Sequence, residues 1–76
     1  MNFVLYSYDV VKSKKNGKLY TVIHCILNKN RMYNIVMSSN EMLNEFCKNN
    51  VEEDITEYIN YRLFNDSFVP YINIKS

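Results

Sequence analysis

A chain of 76 residues, 47% hydrophobic and 22% charged, has the apolar content for one small core and too little length for a second domain, so 1–76 reads as a single domain. Its net charge of +1 excludes a uniform polycation or polyanion, and no apolar run approaches the roughly 20 residues that a membrane-spanning helix needs. With one histidine, two distant cysteines and no Cys-x-x-Cys pair, the ligand spacing of a structural metal site is missing, so neither metal nor cofactor is expected.

Phe3 to Lys12 carries Val, Tyr and Phe without a breaker and reads as a strand, with Phe3, Leu5, Ser7, Asp9 and Val11 on one face and Val4, Tyr6, Tyr8, Val10 and Lys12 on the other. Lys12-Ser13-Lys14-Lys15-Asn16-Gly17-Lys18 then reverses the chain. Gly17 is the only glycine, and Asn-Gly is a strong hairpin signal because glycine takes positive φ without a Cβ clash. Lys18 to Leu27 is the second strand. Leu19, Thr21, Ile23, Cys25 and Leu27 form its core row, which leaves Tyr20 and His24 on the opposite row. Asn28 to Arg31 is a polar turn into a third strand, Met32 to Met37.

Ser38-Ser39-Asn40-Glu41 has the form of a capping box, with Ser38 accepting from the Glu41 amide. The helix it opens places Met42, Leu43, Phe46 and Cys47 on one stripe and stops at Asn49-Asn50. Val51 to Phe64 fits helical or alternating periodicity; the β-branched and aromatic residues from Ile55 to Phe64 favour a strand. Asn65-Asp66 is a turn, and Phe68 to Ile74 is the last strand, held to an edge or a bulge by Pro70.

The resulting order is β-β-β-α-β-β, with the helix between strands three and four. The expected class is α+β, mainly β, and the expected architecture is a small five-stranded OB-like barrel; an α+β sheet with one or two helices is the alternative. In such barrels ligand meets strands two and three and the loops between strands one and two and four and five. Those places hold Lys12, Lys14, Lys15 and Lys18 in the first loop, Tyr20, His24 and Tyr33 on the strands, and Asn65 and Asp66 in the other loop. Charge is divided unevenly: Val10 to Asn40 carries +6, including Lys29 and Arg31, while Glu41 to Asp66 carries −5. Lysines that follow phosphates beside tyrosines that stack on bases suit single-stranded nucleic acid.

Asn16-Gly17-Lys18-Leu19-Tyr20, entering a strand behind a basic strand end, resembles the Gly-Lys-x-Tyr stretch of the filamentous-phage single-stranded DNA-binding (helix-destabilising) proteins. The resemblance spans roughly Tyr8 to Met37. It implies a small dimeric OB-like barrel in which Lys14, Lys15, Lys18 and Tyr20 bind DNA, although the helix near Ser39 to Asn49 and the acidic second half have no counterpart there. Twelve asparagines, with many Lys, Ile and Tyr, are what an AT-rich genome encodes, which points to a low-GC bacterium or its phage.

The expectation is therefore a cytoplasmic, non-enzymatic protein that binds single-stranded nucleic acid through Lys12, Lys14, Lys15, Lys18, Tyr20, His24, Lys29, Arg31 and Tyr33. Its cysteines are read as free, buried thiols, and homodimerisation is expected because so small a core supplies little stability. Two other classes fit the composition. One is an anti-CRISPR-like inhibitor of a host protein, with the acidic run Glu41 to Glu57 mimicking phosphates; the other is a self-associating structural module joined through its oppositely charged halves.

Overall fold

The computed structural model describes residues 2–74. Its elements are β1 (Phe3–Lys12), β2 (Leu19–Leu27), β3 (Arg31–Ser38), α1 (Glu41–Asn49), a 3-10 turn (Thr56–Tyr58), β4 (Ile59–Phe64) and β5 (Ser67–Ile72). The class is α+β, mainly β, in the expected order. The strands form two antiparallel sheets, β1-β2-β3 and β4-β5. Where β3 approaches β5, the described contact is the Ile72 amide donating to Met37 Sδ at 3.4 Å. Among the described residues no helix is long and apolar enough to cross a membrane.

The core row of β2 is the expected one from Thr21 onward, whereas Leu19, expected to begin it, is exposed at the strand's open end. Thr21, Ile23, Cys25 and Leu27 are buried, joined by Phe3 and Leu5 of β1, Ile35 of β3, Leu43 and Cys47 of α1, Ile55 and Ile72. Thr21 is polar and fully enclosed, and its hydroxyl donates to Asn44 Oδ1 at 2.6 Å while Asn44 Nδ2 donates to Ser39 Oγ at 2.9 Å. That chain of bonds latches helix to sheet and removes the cost of burying an unpartnered hydroxyl. Cys25 and Cys47 are free and buried, and burial pushes both thiols up to about 11.

Strand β1 departs from simple alternation. Leu5 pairs with Cys25 but Ser7 pairs with His24, so Tyr6 is a bulge and every later residue changes face. Tyr8 and Val10 therefore join the row of Ile23 and Thr21, whereas Ser7, Asp9 and Val11 turn to the outer face, the reverse of the facing expected beyond Leu5. The bulge lies where the chain after α1 covers the β1 edge. Leu5 donates to Glu53 O at 3.0 Å, Glu52 to Leu5 O at 2.7 Å and Ile55 to Phe3 O at 2.8 Å.

Two boundaries also move. The helix cap is Asn40, whose side chain accepts from Leu43 N at 2.8 Å, because Ser38 stays in β3 opposite Tyr20 and the Ser39 amide donates to Leu19 O. The strand expected from Ile55 starts at Ile59, since the Tyr58 amide closes a 3-10 turn on Ile55 O. Asn65 and Asp66 both take positive φ, 49° and 63°, the two-residue turn whose twist suits a tight hairpin.

Candidate nucleic-acid interface

Six residues, Ser13 to Lys18, form the loop between β1 and β2. The Gly17 amide bonds back to Ser13 O at 2.9 Å, which closes a helical turn, and glycine at φ +72° then redirects the chain into β2. The Lys18 amide is held by Asn16 Oδ1 at 3.0 Å, and Asn16 Nδ2 reaches the Tyr20 hydroxyl at 3.3 Å. This side-chain bridge ties a loop with exposed Lys14, Lys15 and Lys18 to the first aromatic ring on the outer face of β2.

Tyr20 also lines a cleft of about 470 Å³ between the outer sheet face and the β4-β5 hairpin. Val36 and Ser38 share its wall, and Arg62, Phe64 and Tyr71 form the opposite one. The Arg62 guanidinium lies 4.4 Å from the Tyr71 ring centroid, a cation–π contact that braces both side chains. Aromatic rings, a guanidinium and neighbouring lysines are the surface chemistry that stacks bases and pairs phosphates. Sequence reasoning missed Arg62, Phe64 and Tyr71. Arginine within Tyr61-Arg62-Leu63-Phe64 was the available signal, but local pattern does not report which sheet face a distant hairpin will oppose.

The nine residues singled out from sequence do not form one patch. Lys12, Lys14, Lys15, Lys18 and Tyr20 gather at one end of the three-stranded sheet. Lys29 and Arg31 flank the opposite end of β2, about 26 Å away at a strand rise of about 3.3 Å per residue. Tyr33 pairs with Cys25 and so sits on the core side, with its ring edge-on to Phe3 at 6.3 Å. His24 shares the outer face with Tyr20, but both its nitrogens are engaged.

Nδ1 of His24 lies 2.8 Å from Asn34 Oδ1 and Nε2 lies 2.9 Å from Asp9 Oδ2. Two oxygen acceptors are satisfied together only by the doubly protonated ring, so the Asn34 hydrogen bond, followed by that to Asp9, raises the His24 pKa above its ordinary 6.5. A raised folded-state pKa adds stability that is fully present below the unfolded value and is lost as pH rises through the folded one. Stability to urea is therefore expected to decline in the wild type as pH rises above 6.5. In Asp9→Asn this decline should shrink; an identical pH profile in that variant would show that the ion pair does not drive it.

Among the described residues no three His, Cys, Asp or Glu side chains converge to hold a metal ion. Comparison with family models, curated proteins and solved structures gives no match, so the functional reading rests on this geometry.

Proposed function

We propose that the protein binds single-stranded nucleic acid, with Lys12, Lys14, Lys15 and Lys18 on phosphates and Tyr20 stacking on a base, backed by Arg62 and Tyr71. The observation that carries this reading is the position of Tyr20, bridged to the lysine loop through Asn16 and lining the cleft opposite Arg62 and Tyr71. Base stacking on such rings tolerates any sequence, so the expected ligand is a single strand without strong sequence preference. An OB-like arrangement, with ligand on the faces of strands two and three, is the finer fold description that agrees with it. The likeness of Asn16 to Tyr20 to the filamentous-phage single-stranded DNA-binding proteins supports the same reading. With it comes a cytoplasmic homodimer of phage or mobile-element type that acts by binding and without catalysis.

The test is fluorescence anisotropy of a labelled oligothymidylate at low salt. Wild-type protein should bind, and Tyr20→Ala should weaken binding by about 1–3 kcal/mol, roughly five- to 150-fold. Unchanged affinity in a Tyr20→Ala protein that keeps the wild-type circular dichroism would overturn the stacking role.

A further inference from the structure

Three consecutive residues of β3, Val36, Met37 and Ser38, and three of β5, Val69, Pro70 and Tyr71, line the cleft beside Tyr20. Successive side chains on a strand point to opposite faces, so a cavity that meets three in a row is bounded by the strand's edge. The registers fix what each edge presents. The Ser39 amide donates to Leu19 O, and the alternation of an antiparallel ladder then leaves Ser38 opposite Tyr20, and Val36 opposite Val22, without mutual main-chain bonds. The N–H and C=O of Val36 and Ser38 point away from β2 toward the hairpin, with no hydrogen-bond partner among the described residues. On the other side the Asn73 amide donates to Tyr58 O, so by the same alternation Pro70 and Ile72 direct their main-chain groups away from β4 and toward β3. That edge offers few donors: Pro70 has no N–H, and the Ile72 amide is engaged by Met37 Sδ at 3.4 Å. An extended peptide inserted as a further strand needs a ladder on both sides, which β5 cannot supply. A flat ligand needs only β3.

We infer that the open edge of β3 at Val36 and Ser38 pairs with the Watson–Crick edge of the base that stacks on Tyr20, main-chain N–H to a base acceptor and C=O to a base donor. The inference rests on the nucleic-acid reading and deepens it by naming which part of the base is held. Among the described residues that line the cleft Arg62 alone is charged, so no carboxylate there repels a phosphate. The volume of about 470 Å³ falls within the roughly 300–1,000 Å³ of small-ligand sites. Every base carries a donor beside an acceptor on its Watson–Crick edge, so a main-chain pair of the same kind accepts any of them. In a duplex those groups are occupied by the complementary base. The contact thus separates unpaired from paired bases without selecting sequence, which is the discrimination a single-strand binder needs.

Fluorescence anisotropy at low salt tests this with two labelled strands of equal length, oligothymidylate and the same strand built from N3-methylthymidine. Methylation removes the N3–H donor and adds bulk at the Watson–Crick edge, yet keeps the ring available for stacking and leaves every phosphate in place. The methylated strand should bind the wild-type protein about tenfold more weakly than oligothymidylate. A second arm changes the protein. Ser38→Pro removes an N–H that bonds nothing within the sheet, so circular dichroism should be preserved. Its affinity for oligothymidylate should fall about tenfold, while its affinity for the methylated strand should change little. Should Ser38→Pro unfold, the comparison of strands on wild-type protein decides alone. Equal affinity of the wild type for the two strands, or a folded Ser38→Pro protein that binds oligothymidylate as tightly as wild type, overturns the inference and leaves the nucleic-acid reading standing. No affinity for either strand removes the nucleic-acid reading itself, and the inference with it.

Discussion

Ile23→Ala is expected to remove about 2–5 kcal/mol of stability, as truncation of a fully enclosed aliphatic side chain does. Ile23 is the middle residue of the middle strand, paired with Tyr8 on one side and Ile35 on the other and wholly buried. A domain of this size holds on the order of 4–11 kcal/mol in all, so the upper part of that range leaves a large unfolded fraction at 25 °C. Lys15→Ala on the exposed loop should stay within about 0.5 kcal/mol of wild type. Urea unfolding followed by circular dichroism measures both, and equal losses in the two variants would contradict the burial assigned to β2.

That contrast was legible in the sequence because β2 alternates cleanly: Thr21, Ile23, Cys25 and Leu27 are enclosed while Val22, His24 and Ile26 between them are only half-buried. The turn at Gly17 and the Leu43/Cys47 side of the helix were legible for similar local reasons. Strand β1 was not, since apolar and aromatic residues occupy both its faces and its bulge sits against backbone supplied from residues 52–55, some fifty positions away. The helix start was ambiguous among Ser38, Ser39 and Asn40, all competent caps. It was settled by a non-local demand, because Ser38 and Ser39 are already engaged with Tyr20 and Leu19 of β2.

The site divides in the same way. Tyr20 and the lysine loop are neighbours in sequence, so their proximity could be read directly, as could the outward row that holds His24. Splitting Lys29 and Arg31 from that loop follows from strand length. The approach of Arg62 and Tyr71 follows from how a second sheet packs beside the first, which no periodicity encodes. Hairpin β4-β5 also shows why apolar content is an imperfect guide to burial: Ile59 to Phe64 reads as a core strand, yet Leu63 and Phe64 face solvent.

Charge reversal of Lys14, Lys15 and Lys18 to glutamate is expected to abolish oligonucleotide binding while the fold persists, because all three lie on the exposed loop and none is in the core. Three attractive charges become three repulsive ones beside the phosphates, and counterion release is lost with them. In the proposed binding mode the footprint comprises Lys12, Lys14, Lys15 and Lys18, since Lys29 and Arg31 stand at the far end of β2. Each phosphate neutralised on a single strand contributes about −0.7 to the slope of log K against log salt, so four lysines give about −3. The most direct measurement is that slope, taken by anisotropy on a short oligothymidylate for the wild type and the triple variant together. A wild-type slope near −3 with no binding by a folded triple variant is the predicted result; no wild-type binding at low salt, or a triple variant that binds as tightly as the wild type, would contradict a nucleic-acid function.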